Sequence, residues 1–190
     1  AVALCTARAT ELLGQKPERI KALLSANILK NAMGVGIPGT GMIGLPIAIS
    51  LGALIGKSEY QLEVIKDLTP ESLEEGKQYV AENHIDIKLK SGISEKLYVE
   101  ITCEAGENKA TAIISKTHTN FVYEEMNGKV LLNKQVEAGD GASEDNDDIQ
   151  LNLKLVWDFA TTTPINEIDF ILEAKRYNMN AAEEALKGNY

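Results

Sequence analysis

Glycines at positions 34, 36, 39, 41 and 44, set around Pro38 and Thr40, have the spacing that comes nearest to a known chemistry. Glycine reaches positive φ and lets a ligand or another segment come close. Gly34, Gly36 and Gly39 satisfy G-x-G-x-x-G, the phosphate turn of dinucleotide-binding folds. However, Pro38 sits inside the would-be turn, and the later SEYQLEVIKDL has helical spacing where a second strand should follow. Gly36 and Gly41 have the Walker spacing, but Met42 and Ile43 stand where Lys and Ser or Thr should be, which excludes a P-loop. What survives is a loop whose N–H groups, followed by a helix N-terminus, can hold a carboxylate or phosphate. The same loop can equally serve tight packing without a ligand. A second polar group is KTHTN, Lys116 to Asn120, a knot of donors and acceptors at a turn, where Thr and Asn also cap turns for purely local reasons.

The elements that position these residues follow from periodicity. The loop belongs to an uncharged run from Asn31 to Gly56. Such a run is long enough to span a bilayer, but the glycines and Pro38 of its first half would leave backbone groups unpaired in lipid, which argues against a span. Its second half, from Pro46 through Ile47, Ile49, Leu51, Leu54 and Ile55, is apolar all round and reads as a buried helix. Upstream, AVALCTARATELLG is an amphipathic helix with Leu4, Cys5, Ala7 and Leu12 on its apolar side, stopped at Gly14. It begins without an N-cap or an initiator Met, so a cut chain is expected. Arg19 to Lys30 reads as extended. Ser58 is placed as the cap of a helix through Lys66, and Thr69-Pro70-Glu71 starts another that runs to about Asn83.

From Ile85 the period becomes alternating. IDIKLK, KLYVEITCEA, KATAIIS, NFVYEEM and KVLLN read as strands, with Asn127-Gly128 as a hairpin turn. The expected fold is α+β: an antiparallel sheet of about four to five strands with helices packed against it and a helical C-terminal segment. Residues 1–136 form the α+β domain with the Gly-rich loop at 31–45. The acidic stretch 137–148 is read as an exposed loop or linker that lacks EF-hand spacing. Residues 149–190 are helical, with Leu151, Leu155 and Phe159 on one face, Ile168 and Leu172 inward, and Asn180 capping a last short helix.

The chain has 190 residues and a formal net charge of −9, which argues against a nucleic-acid partner. Cys5 and Cys103 are far apart, with no C-x-x-C, and a reducing cytoplasm is expected.

The run ANILKNAMGVGIPGTGMIGLPIAISLGALIG, followed by LEVIKDLTPE, EKLYVEITCEAG, SKTHTN and NMNAAEEALKGNY, resembles the N-terminal half of the L-cysteine desulfidase family, relatives of the bacterial iron-sulfur L-serine dehydratases. The resemblance extends along nearly the whole chain and implies a lyase. A [4Fe-4S] cluster in the full-length protein activates L-cysteine, which gives pyruvate, ammonia and sulfide by β-elimination. It further implies a substrate-binding set of Asn31, Gly34, Gly36, Gly39, Thr40, Gly41, Thr117, Thr119 and Asn120. His118 is the candidate catalytic residue, since His84 sits at a helix-strand junction with no motif around it.

The departures are as specific as the match. The family's cluster cysteine lies in a Gly-Cys-Thr-Glu-Pro segment just before the helix that begins here at Ala1, and its other ligands lie in the C-terminal half. Cys5 and Cys103 match neither and read as buried small apolar residues. This piece alone is therefore expected to hold no metal and to be inactive, with the missing C-terminal half as its partner. A homodimer is compatible with the apolar terminal helices. The competing expectations are an L-serine dehydratase-type deaminase, an amino-acid-binding regulatory domain without chemistry, and an assembly module whose loop only packs helices.

Overall fold

A computed structural model describes residues 1–134 and 152–188. They fall into two units, one within residues 1–139 and one within 140–190. The acidic stretch 137–148 lies outside the described residues, as does Leu151.

The first unit is α+β. Helix α1 (Val2–Leu13) ends at Gly14, whose φ of 74° takes the left-handed cap that the glycine predicts. Strand β1 (Arg19–Leu24) follows. The extended reading of Arg19 to Lys30 is corrected here. Ser25 accepts a hydrogen bond from the Ile28 N–H and starts helix α2 (Ala26–Ala32), since an N-cap serine outweighs the weak alternation beyond Leu24. Two short strands, β2 (Gly36–Ile37) and β3 (Met42–Ile43), pair antiparallel within the Gly-rich loop. Helix α3 (Leu45–Leu54) is buried from Leu45 through Ala53 except at Pro46, as its apolar composition predicts. Ser58–Glu63 forms a 3-10 segment broken at Gln61 (φ 53°, ψ −122°), where an α-helix to Lys66 was expected. Helix α4 (Pro70–Ala81) begins with a capping box between Thr69 and Ser72.

Strands β4 (Ile85–Leu89), β5 (Tyr98–Ala105), β6 (Asn108–Ser115), β7 (Phe121–Met126) and β8 (Lys129–Asn133) join β1 in a six-stranded sheet of order β4-β1-β5-β6-β7-β8. The sheet is mixed. β1 pairs parallel with β4 and antiparallel with β5, so the expected antiparallel sheet gains one strand and one parallel neighbour. The Asn127-Gly128 turn has positive φ at both residues, as its hairpin requires.

α1 lies on the inner face of the sheet, against β5, β6 and β7, while its other side packs on α3, and α3 in turn packs on α4. Leu4, Cys5, Ala7 and Ala9 are therefore fully buried, on more than one face of the helix. Arg8 donates to both carboxylate oxygens of Glu124 at 2.8 Å, tying α1 to β7. In the second unit, Asn152 caps helix α5 (Leu153–Thr162), and helix α6 (Phe170–Leu186) runs unbroken through Asn180, which the sequence reading had made a cap. These helices leave Leu155, Phe159 and Leu172 exposed, contrary to the inward placement of Leu172. Among the described residues no helix is long and apolar enough to cross a membrane.

The α1–α3 contact is made backbone to backbone. A Cβ on Gly52 would stand 2.6 Å from the Ala3 carbonyl oxygen and 3.1 Å from its Cα. Alanine is the better helix former by about 1 kcal/mol, but neither backbone can give way, so the clash decides the sign. Gly52→Ala is expected to destabilise the protein by about 1–3 kcal/mol net. Gly34 has nothing within 4 Å of an added Cβ, and Gly34→Ala is expected to change stability by less than about 0.5 kcal/mol. Urea denaturation of the two variants side by side checks both values.

Candidate functional site

The first unit carries an open cavity of about 960 Å³, within the roughly 300–1,000 Å³ of small-molecule sites. Residues from the first turns of three helices form part of its wall: Ala1 to Ala3 for α1, Gly44 and Leu45 for α3, and Thr69 and Pro70 for α4. The N-termini of α3 and α4 are positive dipole ends on this wall, where an anionic group is favoured, while α1 begins against Gly52 in the last turn of α3. α3 has no side-chain cap, since Gly44 occupies its N-cap position. The rest of the wall is largely apolar and includes Ile28, Val35, Ala48 and Leu68, with Asn31, Glu63, Lys66 and His118 as the polar exceptions.

The structure gathers part of the set that the sequence singled out. Asn31, Gly39 and His118 line the cavity. Asn31 reaches it from the last turn of α2, where its amide donates to Asn27 Oδ1 at 3.4 Å. Gly39 holds φ at 76°, and a Cβ there would press on Leu68 Cδ2 at 3.1 Å. His118 comes from the β6–β7 turn and its side chain is exposed.

The other members lie outside the cavity wall. Gly34, Gly36 and Gly41 are exposed and a Cβ at each would meet open space. Thr40 is buried and builds the β2–β3 hairpin: its hydroxyl donates to Ile37 O at 2.7 Å and accepts from Met42 N at 3.0 Å. Thr117 and Thr119 are exposed on the turn. Asn120 closes that turn, its amide donating to Ser115 O at 3.1 Å, and its Oδ1 accepts from Lys134 at 3.3 Å. His84 is a structural hydrogen-bonder away from the cavity, stacked on Tyr79 with Nδ1 2.7 Å from Glu18 O.

Sequence reasoning did not find the α1 N-terminus or the stretch Leu62 to Lys66 as cavity wall. Leu62 to Lys66 belongs to the LEVIKDLTPE stretch of the family resemblance, but its one local signal was the acid and base spaced three apart.

Neither cysteine is placed to ligate a metal. Cys5, on α1, lies 3.2 Å from Ala112 O, and Cys103, on β5, lies 3.7 Å from Thr10 Oγ1; both are fully buried. Burial pushes the Cys5 thiol far above its ordinary range and the Cys103 thiol up to about 12. Among the described residues no three His, Cys, Asp or Glu side chains converge on a point. The donors among the described residues therefore do not fit an iron-sulfur cluster.

The chain is similar to UPF0597 proteins. One from Phocaeicola vulgatus is 66% identical over 190 residues, covering all of this chain and 44% of the relative. One from Bacteroides thetaiotaomicron is 60% identical over the same span, and one from Oleidesulfovibrio alaskensis is 40% identical over 191 residues, each again with 44% of the relative covered. The chain thus spans less than half the length of the curated relatives it matches. Their names state no activity. No family model matches the chain, and no solved structure does.

Because both thiols are buried and held protonated by that burial, they are expected to stay silent toward a thiol reagent in the native state at neutral pH and to react only on unfolding. Titration with a chromogenic disulfide, with and without denaturant, measures this. Rapid native labelling of either cysteine would show that its placement is wrong.

Proposed function

We propose that this chain forms the amino-acid-binding part of a lyase that releases sulfide from L-cysteine. The observation that carries the reading is the cavity at which the first turns of α1, α3 and α4 meet Asn31, Gly39 and His118. A substrate carboxylate finds oriented N–H donors and positive dipole ends there, and the apolar walls exclude water from the reacting carbons. His118 brings the one imidazole on the wall, and it takes the role of moving the α-proton. The resemblance of the loop and the SKTHTN turn to the L-cysteine desulfidase family supports the same assignment.

The Cα–H bond breaks and its proton passes to the base. The electron pair forms the Cα=Cβ bond, and the Cβ–S bond breaks to release sulfide. The resulting 2-aminoacrylate tautomerises to an imine, and water hydrolyses it to pyruvate and ammonia. L-serine follows the same course with hydroxide as the leaving group, which makes a serine deaminase the nearest alternative. The [4Fe-4S] cluster implied by the resemblance would take its ligands from outside this chain. In this reading the whole-protein activity depends on chain beyond residues 1–190, as the greater length of the relatives allows.

The test is product formation by the full-length protein purified without oxygen. Sulfide from L-cysteine, or pyruvate from L-serine, is expected, and absence of both would defeat the lyase reading. His118→Ala is expected to lower kcat by about 100-fold or more with a smaller effect on KM, the signature of lost proton transfer. An unchanged kcat would remove His118 from the chemistry.

A further inference from the structure

Beyond His118, the cavity wall carries two formally charged side chains, Glu63 and Lys66. Lys66 is engaged already: its ammonium sits 3.5 Å from the centroid of the Tyr60 ring. Glu63 is the sole acid on the wall, it is exposed, and no described side chain pairs with it. Against the positive helix ends and Lys66, this carboxylate is the one anionic counterpart in the cavity. A zwitterionic amino acid needs both signs. Its carboxylate suits the helix N-termini, and its ammonium then requires an acid that nothing else has claimed.

The segment bearing Glu63 is held with care. Gln61, two residues earlier, keeps φ 53° and ψ −122°, a backbone region that a side chain rarely adopts. This turn persists because its surroundings over-determine it. Ser58 gives its N–H and its hydroxyl to the two carboxylate oxygens of Glu11 at 2.6 and 2.5 Å, tying the start of the segment to α1. Lys57 donates to Asp67 at 2.7 Å, and Val64 is buried beside Glu63. The reversal at Gln61 sets residues 62 to 66 along the cavity wall. Strain of this kind collects where a side chain must be placed.

We infer that Glu63 binds the α-ammonium group of the amino acid, and so selects amino acids over simple carboxylates. This rests on the amino-acid reading of the cavity given above. Its test compares L-2-aminobutyrate, which has the shape of cysteine with a methyl group in place of the thiol and so has no leaving group, with butyrate, which lacks the ammonium. Both are titrated calorimetrically into the full-length protein. Wild type is expected to bind the amino acid more tightly than butyrate. Glu63→Gln is expected to weaken the amino acid about tenfold and leave butyrate unchanged, while Glu63→Asp keeps part of the preference. Glu63 is exposed, so both variants are expected to fold, and an unchanged melting temperature verifies it. If Glu63→Gln leaves the amino acid unaffected, or weakens butyrate equally, the role of Glu63 is overturned while wild-type binding still upholds the amino-acid reading. If wild type binds neither compound, that reading fails and takes the role of Glu63 with it.

Discussion

The backbone of α3 meets the backbone of α1 at Gly52, with no room for a side chain between them. That contact fixes the architecture around the cavity. It lets α1 lie between the sheet and α3 with small residues on its crowded sides, and it brings the cavity walls of both helices into one layer. The first turn of α3 ends on the cavity with Gly44 at its N-cap, so its N–H groups are left without a side-chain partner, whereas Ser25, Thr69 and Asn152 cap α2, α4 and α5. A glycine cap costs only a few tenths of a kcal/mol.

Much of the fold was legible because its signals are local. Gly14 as a left-handed stop, the Thr69-Pro70 helix start, the uniformly apolar α3 and the Asn127-Gly128 turn each depend on a few neighbouring residues, and each stands where the pattern put it. The misses have non-local or conditional causes. The parallel pairing of β1 with β4 joins strands some sixty residues apart, and no short window records it. Asn180 caps a helix only if one begins there. Inside the unbroken α6, with no Gly or Pro to stop the chain before it, the same residue is simply carried. At Ser58, helical spacing in the sequence lost to a tertiary tether, since Glu11 claims both the N–H and the hydroxyl that would have started a helix.

The candidate site was half legible for the same reason. Its glycines were visible as a loop that departs from ordinary backbone, but which of them face a cavity depends on how the loop folds back. Thr40 shows the difference. As a polar residue in a Gly-rich loop it looked like a ligand donor, and the structure spends its hydroxyl inside the β2–β3 hairpin. Gly39 and Asn31 reach the cavity because the hairpin and α2 deliver them there. Glu63 lay in a stretch quoted for the resemblance without a role of its own; it became a candidate only when the strained turn at Gln61 set it on the wall.

The central claim is that an amino-acid carboxylate sits in the cavity at the first turn of α3. It is tested most directly by following the backbone amide and histidine ring signals of isotope-labelled protein while L-serine is added. The account predicts saturable shifts at Val2, Ala3, Leu45 and Gly39 and at the His118 ring, with Thr40 and Asn120 little affected. Saturable shifts confined to residues away from the cavity, or no shifts at millimolar L-serine, would contradict it.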